Sequence, residues 1–252
     1  MNKEEYSLLC DDLYLDMYVN TELELPDQRD TILTFFERIQ KQFPLMTNFY
    51  RRDKHCYLEE ENDSQQYRWV ALEGNRIGSG IVNPDKFETA YQQDKLVLEL
   101  IPYMLGVNSL DIGSLDLTIG MDFDYWGNHD EIIAEALLSS SALNCLVDLP
   151  VSSMINCSPE IVVSLSEDGR TQARISVESK TSVFDPREKP IQRDKFISLL
   201  FTIHQFPRAS EKFNAVEYLE KLGLLAEKLL STKIVPNIVQ PLINTIAQRK
   251  FI

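Results

Sequence analysis

The densest group of polar side chains in the sequence lies between residues 122 and 131. Alternate residues of an extended strand share one face, so Asp122 and Asp124 are predicted to project together. A helix beginning just after them would add the imidazole of His129 and the carboxylate of Asp130, and such oxygen and nitrogen atoms bind divalent cations. The segment therefore predicts a metal site, which would support a metal-assisted or hydrolytic enzyme.

The same segment is also typical of a helix start without a metal. Counted from Asp122, a calcium-binding loop would need a ligand at Trp126 and a glutamate at Ile133, so that template fails. Asn128 followed three residues later by Glu131 is close to a capping box, and acidic residues near a helix start are favoured by the helix dipole. We favour this second interpretation and expect no cofactor.

Two tryptophans and one arginine are the candidate ligand-binding residues. Trp69 and Trp126 lie on or beside predicted strands, where an indole ring can stack on a planar ligand or fill a core. Arg76 lies in the glycine-rich stretch Gly74–Gly80 and is suited to holding an anionic group, as is Arg52. The stretch matches neither a phosphate-binding loop nor a dinucleotide fingerprint, so its glycines predict a turn or bulge at a strand end.

The cysteines give no catalytic or redox signature. No two of them form a C-x-x-C pair, and His55 would point to the opposite strand face from Cys56, so it could not activate that thiol. The amino-terminal residues lack the apolar stretch of a secretory signal, and a reducing cytoplasm is the expected compartment. No window approaches ~18 consecutive apolar residues, so we expect no membrane span.

The net charge of the chain argues against one class of partner, nucleic acid. The chain has 252 residues, with 39 acidic and 25 basic side chains and a formal charge of −14 at pH 7. This charge repels a phosphate backbone, so we expect no nucleic acid partner. Its 44% hydrophobic content is typical of a globular protein with a buried core.

Hydrophobic spacing predicts the elements that position these residues. In the first half, alternation from Leu13 to Val19 predicts a strand, and helical spacing predicts a helix over 28–42. The segments 48–61 and 66–73 are predicted to form a hairpin, followed by a helix from about Asn83 towards Gly106.

The second half repeats this order. Alternation from Leu115 to Phe123 predicts a long strand, and a helix is predicted from His129 to about Leu143. The segments Ile161–Leu165 and Ala173–Val177, joined through Asp168 and Gly169, predict a hairpin. The apolar residues between Phe196 and Ile203 are assigned to the last helix of this half.

The sequence therefore predicts an α+β protein made of tandem β-α-β-β-α units. The half-units, about 11–106 and 107–207, would share one mainly antiparallel sheet in a single domain, 1–207. The topology is similar to duplicated ferredoxin-like or TATA-binding-protein-like sheets, a similarity of fold that carries no functional inference. The acidic charge argues against a DNA-bending role.

Helices are expected in the tail, residues 208–252. Two apolar stripes, the second interrupted by Pro236 and Pro241, predict helices that pack on the same domain or form a homodimer contact. With no motif that fixes a reaction, we expect a binding or interaction protein with a protein or small-molecule partner rather than an enzyme. A small-molecule carrier enclosing Trp69 and Trp126 is a further alternative.

Overall fold

The protein forms an α+β fold around one nine-stranded antiparallel sheet. The computed structural model describes residues 2–61, 66–146, 154–179, 196–208 and 213–250. The strands are β1 (Asp12–Thr21), β2 (Met46–Arg52), β3 (His55–Glu60), β4 (Tyr67–Glu73), β5 (Arg76–Val82), β6 (Ile112–Asp124), β7 (Glu160–Ser164), β8 (Thr171–Ser179) and β9 (Phe196–Gln205). The helices are α1 (Lys3–Tyr6), α2 (Arg29–Gln42), α3 (Phe87–Met104), α4 (His129–Leu138), α5 (Ala215–Leu229) and α6 (Gln240–Lys250). Within these ranges no helix has the length and apolar character needed to cross a bilayer.

The centre of the sheet is the antiparallel pair β1 and β6, in which Asp16 lies opposite Thr118. Outward from β1 the order is β5, β4, β3 and β2, and outward from β6 it is β9, β8 and β7. Each half of the chain thus builds one side of the sheet, in reverse chain order.

The hydrophobic core lies on one face of the sheet. In β1 every second side chain, from Leu13 to Val19, is fully buried, as the alternation predicts. Residues of α2, α3, α4 and α5 join these side chains in one core cluster. The alternate side chains of β1, from Tyr14 to Asn20, lie on the opposite face and are partly exposed. We call this opposite face of the sheet the outer face.

Several predicted elements are confirmed with small shifts of their ends: β1, α2, α3, β6 and the β7–β8 hairpin. The helix predicted to run to about Leu143 ends at Leu138, and a 3-10 helix follows at Ala142–Leu146. In the tail, α5 and α6 are joined by a π-helical segment, Leu230–Val239, so Pro236 and Pro241 do not interrupt the helix.

Three predicted elements are wrong. The segment 48–61, predicted as one arm of a hairpin with 66–73, is itself the β2–β3 hairpin, and β4 pairs with β3 as a third strand. The segment assigned to a helix between Phe196 and Ile203 is β9, which lies between β6 and β8. Its apolar residues, interrupted by Ser198 and Thr202, fit a strand or a helix, and only pairing with the neighbouring strands decides between them. The stretch interpreted as a turn or bulge is largely β5. Each half consequently contains more strands than the predicted β-α-β-β-α unit.

Candidate binding surface on the outer face of the sheet

Six aromatic side chains share the outer face on the β1–β5 side of the sheet. Strand register places Tyr50 opposite Tyr57, and Trp69 opposite both Glu59 and Gly80. All six rings are partly exposed. We call them the aromatic face: Tyr14, Tyr18, Tyr50, Tyr57, Tyr67 and Trp69.

Two glycines of β5 make room for the Trp69 ring. A Cβ added at Gly80 would lie 2.6 Å from Trp69 Nε1, and one added at Gly78 would lie 2.7 Å from Trp69 Cζ3. The indole therefore lies against the bare backbone of the neighbouring strand. The predicted turn is correct for Gly74 alone, which has a φ of +64° between β4 and β5.

Asp16 lies beside the indole, on the other side of Gly80. A Cβ at Gly80 would lie 2.2 Å from Asp16 Oδ1, an atom that is buried and has no hydrogen-bond partner. Burial raises the pKa of Asp16 to about 7, while the Trp69 indole and then the Arg76 guanidinium favour the charged form. Near neutral pH this carboxyl group is therefore present in both protonation states.

Arg76 completes the arrangement. Its guanidinium carbon lies 3.5 Å from the centre of the Tyr18 ring, which is within cation–π range. The centres of the Tyr18 and Trp69 rings are 5.8 Å apart. Glu73 Oε2 lies 3.7 Å from Arg76 Nε, and the arginine side chain remains 41% exposed. We call Asp16, Tyr18, Trp69 and Arg76 the Trp69 cluster.

Helix α3 fixes the strands below the cluster. The Gln93 side-chain amide donates to Trp69 O (3.1 Å), Ser79 Oγ (3.1 Å) and Gly80 O (3.2 Å). The next residue, Asp94, is fully buried, and neither of its carboxylate oxygens has a hydrogen-bond partner. Burial raises the pKa of Asp94 well above its ordinary value, the neighbouring Ser79 hydroxyl offsets part of this rise, and the charge of Asp16 adds to it.

Two other tyrosines of the aromatic face, Tyr50 and Tyr57, form hydrogen bonds with carboxylates. Tyr50 Oη donates to Glu59 Oε1 (2.8 Å), and Tyr57 Oη donates to Glu73 Oε1 (3.2 Å). Burial, followed by the Glu59 hydrogen bond, raises the pKa of Tyr50 to about 12. These phenols are therefore neutral at physiological pH and present ring faces and edges rather than charge.

Carboxylates outnumber arginines across the whole outer face. By register this face carries the acids Asp12, Asp16, Glu59, Glu73, Asp116, Asp122, Asp124, Glu160 and Glu178. The arginines on it are Arg52, Arg76 and Arg174. The candidate surface is thus both aromatic and acidic.

The residues predicted to bind a metal have other partners. Asp122 Oδ1 accepts from Ser198 Oγ (2.5 Å), and Asp130 Oδ1 accepts from the backbone N–H of Cys157 (2.8 Å). His129 Nε2 lies 2.9 Å from Tyr125 O. In the described ranges no group of three or more His, Cys, Asp or Glu side chains is arranged to hold a metal ion. The metal site stays a prediction.

Asp124 lines a groove. Its backbone N–H donates to Asp11 Oδ2 (2.6 Å), and its Oδ1 is buried without a hydrogen-bond partner. The groove, about 220 Å³, is also lined by Leu8, Ile243 and Ile246.

The predicted cap of α4 is confirmed. Asn128 Oδ1 accepts from the backbone N–H groups of Asp130 (3.1 Å) and Glu131 (3.4 Å). The Asn128 amide donates to Glu131 Oε1 (3.0 Å). Capping therefore accounts for the side chains of Asn128 and Glu131 at this helix start.

Of the three predicted ligand-binding residues, the structure brings two together. Trp69 and Arg76 both belong to the Trp69 cluster. Trp126 is 73% exposed and follows the end of β6. That end is about 20 Å along the strand from Thr118, the residue opposite Asp16.

Sequence reasoning missed Tyr18 and Asp16. The signal was present in the alternation of β1, since the residues between its buried positions had to share the other face. No protein-family model matches the chain, and a comparison with curated protein sequences likewise finds no match.

Proposed function

We propose that the protein is a binding protein without catalytic activity, and that its outer face, centred on the Trp69 cluster, binds a cationic segment of a partner protein. The observation that carries the proposal is the juxtaposition of partly exposed aromatic rings with the carboxyl group of Asp16, whose Oδ1 is buried without a hydrogen-bond partner. The cytoplasmic location predicted from the sequence is kept in this proposal.

Aromatic rings and carboxylates together favour cations. A lysine or arginine side chain over a tryptophan or tyrosine ring contributes about 0.5–2 kcal/mol, more where water is excluded. Carboxylates beside the rings add attraction, and the net charge of −14 increases the rate of encounter with a basic partner. Arg76 repels like charge, so a bound cation is directed towards the Trp69 and Asp16 side of the cluster.

The finer architecture belongs to the same proposal. We propose that the two halves are related half-units, as the sequence predicted, in the manner of duplicated ferredoxin-like or TATA-binding-protein-like sheets. Support comes from the central β1–β6 pair and from the reverse order of strands on both of its sides. On this proposal the two sides have diverged, because Asp16 of β1 lies opposite Thr118 of β6.

The test uses Trp69 as the reporter of its own surface. The chain has two tryptophans, so Trp126→Phe leaves Trp69 as the only indole. An oligoarginine peptide is titrated into this variant, with an oligoglutamate peptide of the same length as control. We expect a saturable fluorescence change with oligoarginine alone, and its affinity should weaken as salt screens the charges.

Two further variants locate the site. In the Trp126→Phe background, Tyr18→Ala removes a ring of the cluster, whereas Tyr103→Ala removes a ring that is 89% exposed on α3. Affinity for oligoarginine should fall with Tyr18→Ala and stay unchanged with Tyr103→Ala. A flat titration, or equal loss in both variants, overturns the proposal.

A further inference from the structure

Strand β7 forms one edge of the sheet and is exposed along its whole length. In the part of the chain that the structure describes, it pairs with β8 alone. Ile161, Val162 and Val163 are 60%, 53% and 45% exposed, so apolar side chains project on both faces of the strand. An unpaired strand edge flanked by exposed apolar side chains is a template for pairing with another strand.

The opposite edge of the sheet is protected in the usual way. Strand β2 carries Arg51 and Arg52 at its end, and charged side chains on an edge disfavour pairing. In β7 the one charged residue is Glu160, and its carboxylate lies 2.6 Å from Arg174 of β8. The apolar centre of β7 therefore has no charge that would prevent association.

The sequence of β7 is suited to pairing with itself. We infer that β7 pairs antiparallel with β7 of a second copy of this chain, about a two-fold axis at Val162. In this register Val162 faces its own copy, Ile161 faces Val163, and Glu160 faces Ser164. No like charges are opposed, apolar side chains meet on both faces, and the two sheets become one continuous sheet.

Because this pairing is two-fold symmetric, it is complete with two copies of the chain. A contact between β7 of one copy and β2 of the next would instead be heterologous and would continue into an open fibre. It would also bring the β2 arginines against the apolar centre of β7. Because each copy carries a net charge of −14, the dimer should be weak at low salt and strengthen as salt screens the repulsion.

Two lysine variants, one inside the proposed contact and one outside it, test the contact in the full-length chain. Val162→Lys places two ammonium groups face to face in the proposed pair, whereas Leu224→Lys charges an exposed residue of α5, where the sequence predicted a homodimer through the C-terminal helices. By sedimentation velocity, Val162→Lys should raise the dimer dissociation constant by about tenfold or more. Leu224→Lys should leave it unchanged.

Two control measurements test whether the variants fold normally and whether Val162→Lys affects the dimer contact alone. Far-ultraviolet circular dichroism of each variant should match that of the wild type, because Val162 and Leu224 are both exposed. Val162→Lys should also keep the oligoarginine response of Trp69, because β7 lies six strands away from β4 in the sheet. A wild type that stays monomeric at every concentration overturns the inference, as does a dimer that Leu224→Lys dissociates and Val162→Lys does not.

Cysteine cross-linking tests the register. Cys145 is exposed, so the experiment uses a Cys145→Ser background. Val162→Cys should then be joined into a covalent dimer by a short bismaleimide, because directly opposed residues have Cβ atoms about 4.5–5.5 Å apart. Ser164→Cys should not, since it faces Glu160 of the other copy. Equal cross-linking at both positions contradicts the pairing about Val162.

Discussion

The titration of Asp16 gives the sharpest prediction. Burial raises the pKa of this carboxyl group from 3.8 to about 7 in the folded protein. Between these values the folded state binds more protons than the unfolded state, so stability falls as pH rises from about 4 to about 7 and then levels off. Each pKa unit corresponds to about 1.4 kcal/mol, so the charged form costs up to about 4 kcal/mol above pH 7.

Asp16→Asn removes this cost without changing the size of the side chain. We expect the variant to match the wild type near pH 4 and to gain stability relative to it as pH rises, by up to about 4 kcal/mol above pH 7. Urea denaturation of both proteins across this range measures the difference. Because the charge of Asp16 also raises the pKa of Asp94, the difference reports the titration of Asp16 together with its coupling to Asp94.

A matched control has the opposite sign. Asp168 is exposed, and hydrogen bonds from Ser166, Arg208 and the Arg170 backbone lower its pKa to about 2. Asp168→Asn should therefore destabilise the protein above about pH 4, with the loss disappearing as pH falls towards 2. If the stability difference between Asp16→Asn and the wild type is independent of pH, Asp16 does not titrate in this window, and the electrostatic description of the Trp69 cluster is incorrect.

Three further outcomes follow from the same cluster. Affinity for oligoarginine should increase as pH rises towards about 7, because a bound cation favours charged Asp16, and Asp16→Asn should flatten that dependence in the fluorescence titration. Gly80→Ala should displace the indole, lowering the free energy of unfolding by about 1–3 kcal/mol in urea and shifting the Trp69 emission spectrum. Arg76→Ala should remove the stack on Tyr18, at about 0.5–1 kcal/mol, and should raise the pKa of Asp16 further, which the midpoint of the pH–stability curve reports.

The local hydrophobic pattern was sufficient to predict the strands and helices whose apolar residues follow one clear period. The alternation of β1 and β6 and the helical spacing of α2 and α3 predicted those elements, because one face of each is buried and the other is not. It failed for β9, where the apolar residues from Phe196 to Phe201 fit a strand or a helix equally. The position of β9 between two other strands is a property of the sheet, and no local window contains it.

The candidate surface was predictable only in part, for the same reason. Trp69 and Arg76 were selected by residue type, yet their proximity depends on the register between β4 and β5. Gly78 and Gly80 were assigned to a turn or bulge because glycine usually marks one. Their actual role depends on a tryptophan from the neighbouring strand lying across them, and that contact is non-local.

The energetics of the Trp69 cluster favour a binding role over a purely structural one. A carboxyl group with a buried, unpaired oxygen destabilises the fold at neutral pH, and an asparagine at the same position would not carry that cost. Departures of this kind from the most stable choice are concentrated at functional sites. A cation placed against the Trp69 ring would lower the pKa of Asp16 and recover part of the lost stability as binding free energy. The pH dependence of stability expected for the free protein and its proposed affinity for a basic partner therefore have one physical origin.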